Sequence, residues 1–146
     1  MRYSEWFEDC FAEIEEEYNT KLYVVSDKRM ALVAKTYILF FLVHMGTVYV
    51  RYVYRQEDGT LTEVDVDYNL TKSVIKQDYA DLPPTRTTFR EEAEDEILIT
   101  ARCLARRWDD LLRGEIAWMT DPERIVRPMR RDAPSMFVAP FAEQFI

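Results

Sequence analysis

The sequence predicts an α+β domain in which one antiparallel sheet packs against two amphipathic helices. Residues 30–68 are rich in β-branched and aromatic types and contain two turn signals, Met45–Gly46 and Asp58–Gly59, a pattern typical of consecutive antiparallel strands. Apolar residues recur with helical spacing at residues 4–18 and again at residues 88–113. We therefore expect a meander of four or five strands, with the N-terminal helix and one long helix packed on one of its faces.

The strands on either side of Asp58–Gly59 are the best defined by composition. Residues 47–54 are almost entirely β-branched or aromatic, and Leu61–Tyr68 alternates between apolar and acidic residues. Asp-Gly is a common two-residue hairpin turn, and such a turn would pair Val53 with Val64. This register would place three carboxylates beside two tyrosines on one face, namely Glu63, Asp65 and Asp67 beside Tyr52 and Tyr54. A shift by one residue would exchange the two faces.

Residues 28–45 admit two interpretations. Tyr37–Val43 is an unbroken apolar run, and such a run fits a buried strand as well as a buried helix. A helix would be capped by Asp27 and would end at Gly46. We favour a strand that bends near Lys35–Thr36, because the Met-Gly turn then reverses the chain directly into the next strand.

Two helices are predicted from their apolar stripes and their end signals. The first, Ser4–Tyr18, has Ser4 as its N-cap and Asn19 as its left-handed exit. The second begins with a capping box at Thr88–Glu91 and ends at Gly114, which makes it about 25 residues long. We expect its apolar face to lie on the sheet through Ile97, Ala101, Leu104 and Trp108.

The 146 residues are expected to form a single domain, 1–146, with one main core. Lys21–Val25 predicts a first strand at the edge of the sheet. Residues 128–146 form an apolar tail punctuated by prolines, which we expect to pack back on the domain or on a second chain. A homodimer formed through this tail or through a sheet edge is therefore one expected assembly.

The charge balance narrows the classes of partner. There are 27 acidic and 19 basic residues, and the net charge is −8. This charge disfavours direct binding to nucleic acid or to an anionic membrane surface, and it favours a basic protein partner. The sequence shows neither a signal peptide nor an apolar stretch near the roughly 20 residues that span a bilayer. With two cysteines expected to be reduced core residues, the sequence predicts a cytoplasmic protein.

No catalytic or cofactor-binding motif is recognisable. The chain has three glycines and lacks the glycine-rich phosphate loops and the nucleophile elbow. His44 is the single histidine, and a metal site built from His44, Cys10 and Cys103 would require three distant elements to converge. We therefore expect no catalytic residue, no metal site and no cofactor.

The acidic residues of the first helix are the strongest candidates for a binding surface. They crowd its C-terminal half, where the helix macrodipole disfavours anions, whereas the long helix carries its acids at the favourable N-terminal end. A locally unfavourable pattern suggests a functional reason. The predicted partner-binding residues are Asp9, Glu13, Glu16, Glu17, Glu63, Asp65 and Asp67.

These observations favour a small, acidic, non-enzymatic protein-binding module, such as an inhibitor or immunity protein that masks a basic partner. The general type is similar to toxin-neutralising immunity proteins and to dimeric secretion chaperones, but this analogy assigns no residue a role. One alternative is a chaperone-like or structural homo-oligomer. A third is a small ligand-binding or enzymatic domain that uses Tyr52, Tyr54 and Asp65.

Overall fold

The computed structural model describes residues 2–83 and 86–146. Its helices and strands follow one another in this order: α1 (Tyr3–Tyr18), β1 (Lys21–Ser26), β2 (Arg29–Val33), β3 (Tyr37–His44), β4 (Thr47–Arg55), β5 (Leu61–Asp65), α2 (Asp67–Ser73), α3 (Phe89–Arg107), α4 (Asp109–Leu112), β6 (Arg131–Asp132) and α5 (Ala139–Phe145). Short 3-10 turns cover Lys76–Tyr79 and Ala117–Thr120. Among the helices described, none combines the length and the apolar character needed to cross a bilayer.

The α+β class and the antiparallel sheet are confirmed, but the described residues form six strands where four or five were expected. The strand order is β1-β2-β3-β4-β5-β6, in which β1 to β5 form a meander and β6 joins β5 after the long connection that contains α2, α3 and α4. The bent strand expected within residues 28–45 is in fact the hairpin β2–β3, in which Val33 pairs with Ile38. The unbroken apolar run of β3 arises because the strand is buried on both faces: Tyr37, Leu39 and Phe41 join one core cluster, and Ile38 and Phe40 join another.

The β3–β4 hairpin turns as the sequence predicts. Met45 and Gly46 both have positive φ, 49° and 80°, which is the conformation of a two-residue hairpin turn. His44 pairs with Thr47 across this turn.

The β4–β5 turn contains three residues, so the predicted register is wrong by one position. The Gln56 N–H donates to the Thr60 carbonyl at 2.8 Å, and the Gly59 N–H donates to the Gln56 carbonyl at 2.9 Å. Gly59 alone within this turn has positive φ, 88°, as in a type I turn followed by a left-handed residue. The shift pairs Arg51 with Asp65 and Val53 with Glu63, so these two acids face away from Tyr52 and Tyr54.

One face of the sheet packs against α1 and α3. Tyr37 and Tyr52 stack with ring centroids 5.1 Å apart, and Phe7 of α1 lies 5.3 Å from Phe41 of β3. The four residues expected to bring the long helix onto the sheet are buried, as the apolar periodicity predicts: Ile97, Ala101, Leu104 and Trp108.

The opposite face, which we call the back face, is partly covered by α5. Phe145 packs against Tyr23 of β1 at 4.9 Å between ring centroids, and Phe141 packs against Phe40 of β3 at 5.5 Å. Ala31, Ile38 and Val53 complete this second core cluster. The helix therefore covers the end of the back face nearest the β2–β3 turn.

The ends of α1 and α3 show which helix boundaries are predicted correctly by local sequence signals. Asn19 has φ 53°, which confirms the left-handed exit of α1, although the helix starts at Tyr3 and Arg2 is its N-cap. The Thr88 hydroxyl accepts the Glu91 N–H at 3.1 Å, which confirms the start of α3. Its end differs from the prediction: α3 stops at Arg107, and α4 continues towards Gly114.

The edge strand β1 is confirmed in place and is protected on its free side. The Leu22 N–H donates to the Glu15 carboxylate at 3.0 Å, and the pairing of β1 with β2 shifts between Val24 and Ser26. A covered N–H and a bulge both hinder the addition of another strand.

Candidate functional site

The outer face of α1 carries the first group of predicted binding residues. Asp9, Glu13, Glu16 and Glu17 are exposed, while Phe7, Phe11 and Ile14 on the opposite side of the helix are buried. No carboxylate of α1 forms an ion pair with any residue in the described part of the chain. We call Asp9, Glu13, Glu16 and Glu17 the α1 acidic face.

Several acids around α3 and α4, unlike those of α1, form ion pairs with arginines. Arg86 binds Asp95 through two hydrogen bonds of 2.6 Å, and Asp109 binds Arg113 at 2.9 Å. The buried carboxylate of Asp78 contacts Arg106 and Arg107. Many of the arginines of this acidic chain are therefore used to neutralise acids near the long helix.

The second group of predicted binding residues does not join the α1 acidic face. Glu63 is only 7% exposed, pairs with Arg51 at 2.8 Å and accepts the Ser135 N–H at 2.7 Å. Asp65 is exposed on the back face, opposite Arg51. The sheet thus separates Glu63 and Asp65 from the α1 acidic face. Since Glu63 is held by internal contacts, it is not free to bind a partner.

Asp67 lies beyond the end of β5, at the start of α2, and is half-buried. Its carboxylate accepts the Val50 N–H. Burial, reinforced by a hydrogen bond with Asp65, raises the pKa of Asp67 to about 8. At neutral pH this carboxyl is therefore largely protonated and adds little to an acidic surface.

The residues predicted as candidates for catalysis, ligand binding or metal binding do not lie close together. Tyr52 and Tyr54 are buried under the helices, whereas Asp65 lies on the back face, so the predicted Tyr52–Tyr54–Asp65 surface does not exist. Burial, with a smaller contribution from Asp9, raises the pKa of the Cys10 thiol to about 12, which makes it a poor nucleophile. Across residues 2–83 and 86–146, no group of three or more His, Cys, Asp or Glu side chains is arranged to hold a metal ion.

The back face holds a cleft that sequence reasoning missed. Its volume is about 720 Å³, and it lies between the sheet and the segment 135–138. The side chains that matter most for its chemistry are Arg29, Phe40, Leu42, His44, Tyr49, Arg51, Phe137 and Val138. The alternation of Phe40, Leu42 and His44 along β3 was the available signal, but the apolar run around them concealed it.

Exposed apolar side chains cluster around this cleft. Phe137 is 70% exposed, and the adjacent Met136 is 83% exposed. Tyr49 and Val25 also line the cleft and are exposed, and Met45 stands at the nearby β3–β4 turn. Within the apolar tail, Met136 and Phe137 are therefore exposed, while Phe141 and Phe145 pack against the sheet.

Comparison of the chain with protein-family models, curated proteins and solved structures gave no significant match.

Proposed function

We propose that this protein is a non-catalytic protein-binding module that binds a basic partner through the α1 acidic face, in the manner of an inhibitor or immunity protein. The proposal rests on a difference in ion pairing between the carboxylates of α1 and those near α3. Four carboxylates near α3 and α4 are paired with arginines, those of Asp78, Asp95, Asp109 and Asp110, whereas no carboxylate of α1 forms an ion pair with a described residue. An unpaired acidic face on a chain of net charge −8 would steer a basic partner and speed its association.

Helix stability does not account for these acids. The last turn of α1 contains no basic residue, and Glu13 and Glu17 repel each other at the i,i+4 spacing. The helix is nevertheless firmly held, because Phe7 and Phe11 pack against Phe41 of the sheet. A rigid helix presents its charges in a fixed arrangement, which lowers the entropic cost of binding.

The test is affinity capture from the source cells with the wild-type chain and two triple variants. The first variant carries Glu13→Gln, Glu16→Gln and Glu17→Gln. The control variant changes three exposed acids elsewhere to glutamine and so alters the net charge equally, at Glu57, Glu115 and Glu143. We expect a basic protein to be captured by the wild type and by the control variant, but only weakly by the first variant.

The association rate of that captured protein then provides a second measurement. For the wild type it should fall steeply with salt, and for the Glu13, Glu16 and Glu17 variant the dependence on salt should be much weaker. Equal capture and equal salt dependence for all three chains would refute the proposal.

A second candidate function, a chaperone-like or structural homo-oligomer, is supported by the exposed Met136 and Phe137. Such apolar side chains are common in protein interfaces. The tail is the better-supported route, because the free edge of β1 is protected by Glu15 and by its bulge. We also propose a cytoplasmic location, which the unpaired thiols Cys10 and Cys103 support.

A further inference from the structure

The cleft of the back face is formed where α5 stops covering the sheet. Arg29, Leu42 and Tyr49 form one cross-strand row, since Leu42 pairs with Arg29 on one side and with Tyr49 on the other. Phe40 and Arg51 form the next row. The floor of the cleft is therefore apolar and aromatic, with a guanidinium group at either side.

The wall opposite this floor is held in place. The Ser135 N–H donates to Glu63 Oε2 at 2.7 Å, and the Val138 N–H donates to the Ser135 carbonyl at 3.0 Å. Val138 is buried against the sheet in the same cluster as Phe40. The cleft is thus preformed, as small-molecule sites usually are, and its volume of about 720 Å³ lies in the roughly 300–1,000 Å³ range of such sites.

The charge of the cleft is opposite to that of the chain. Among the described residues, those lining it include Arg29, His44 and Arg51 but no aspartate or glutamate, although the chain has 27 acidic residues. The charge of Arg51 is met by Glu63 at 2.8 Å. Arg29 forms no ion pair with any described residue, and its guanidinium lies 5.2 Å from the centroid of the Phe137 ring.

We infer that this cleft binds an amphiphilic monocarboxylate, whose apolar body lies on Phe40, Leu42 and Tyr49 and whose carboxylate binds Arg29. A planar guanidinium can donate two parallel hydrogen bonds to a carboxylate, and its contact with an aromatic ring holds it at the apolar wall. The site is independent of the α1 acidic face, because the sheet lies between them.

The test is isothermal titration calorimetry with three probes: decanoate below its micellar concentration, decanol and acetate. Decanoate should bind with one site per chain, decanol more weakly, and acetate not at all. Arg29→Gln should weaken decanoate binding by about tenfold or more, because a hydrogen bond to a charged group is lost, while decanol binding stays unchanged. The matched control is Arg90→Gln, an exposed arginine on α3 whose loss alters the net charge equally.

The wild-type chain provides a measurement that does not depend on any variant. In methyl NMR spectra, decanoate should shift the signals of Val25, Leu42 and Val138, which line the cleft. Equal decanoate binding by Arg29→Gln and Arg90→Gln would overturn the inference. So would shifts confined to other methyl groups, or a dimer in light scattering whose interface covers the cleft and excludes decanoate. The glutamine variant of Glu13, Glu16 and Glu17 should bind decanoate normally, which separates this result from the proposed partner binding.

Discussion

Replacing Trp108 with alanine should destabilise the protein more than any surface change, because this side chain joins three parts of the core. It is 1% exposed, and its indole N–H donates to the Ser73 hydroxyl at 2.8 Å. Its ring meets Trp118 edge to face at 5.6 Å, and the Arg124 guanidinium lies 4.3 Å from its centroid. Truncation of a buried tryptophan costs about 3–5 kcal/mol. The lost aromatic pair and the lost hydrogen bond place the expected value near the top of that range.

The free energy of unfolding would be measured by urea titration followed by circular dichroism. Trp108→Phe keeps most of the apolar volume but loses the donor to Ser73, so it should cost about 1–2 kcal/mol. Ile116→Ala is the control, because Ile116 is exposed and its loss should change stability by no more than about 0.5 kcal/mol. A cost below about 1 kcal/mol for Trp108→Ala would refute the packing described here.

Three further predictions concern the pH response, the start of α3 and the exposed tail. Burial raises the pKa of Asp67 from 3.8 to about 8, so the folded state holds a proton that the unfolded chain releases. The unfolding free energy should therefore decrease between pH 4 and pH 8 relative to that of Asp67→Asn; parallel pH profiles in urea titrations would contradict this. Thr88→Ala removes the acceptor of the Glu91 N–H and should cost about 0.5–2 kcal/mol in the same assay, whereas Thr88→Ser should cost less. Phe137→Ser should leave stability within about 0.5 kcal/mol because the ring is exposed, but it should reduce any dimer seen by light scattering if the tail mediates self-association.

The sequence predicts those features that short segments determine. Thr88 and Glu91 sit three residues apart, so the start of α3 could be predicted from local chemistry. Its end could not, because Trp108 adopts a non-helical conformation between α3 and α4, where its side chain contacts Trp118 and also Ser73, 35 positions earlier in the chain (108 − 73). Likewise, Asp58–Gly59 indicates a turn but does not distinguish a loop of two residues from one of three.

The one-residue shift in the pairing of β4 with β5 explains why the predicted binding residues do not all lie on one surface. It reverses the face on which Glu63 and Asp65 lie, and thereby separates them from the α1 acidic face. The predicted number of strands was also wrong, because the β2–β3 hairpin lacks the usual local signals. The β2–β3 turn, made of Ala34, Lys35 and Thr36, contains no glycine, proline or asparagine to mark it as a turn. Burial on both faces also removes the alternation of apolar and polar residues that would identify β3 as a strand.

The cleft could not be predicted because its residues come from β1, β2, β3, β4 and the segment before α5. Only the fold brings Arg29 beside Phe137, 108 positions later in the chain (137 − 29). Within the described part of the chain, two chemically opposite surfaces result: the α1 carboxylates, which form no ion pair, and an arginine-bordered apolar cleft on the back face. The proposed basic partner would complement the acidic face, and an anion would complement a cleft whose described lining contains no carboxylate. A ligand in the cleft therefore need not compete with a protein bound to α1, and both could be held at once.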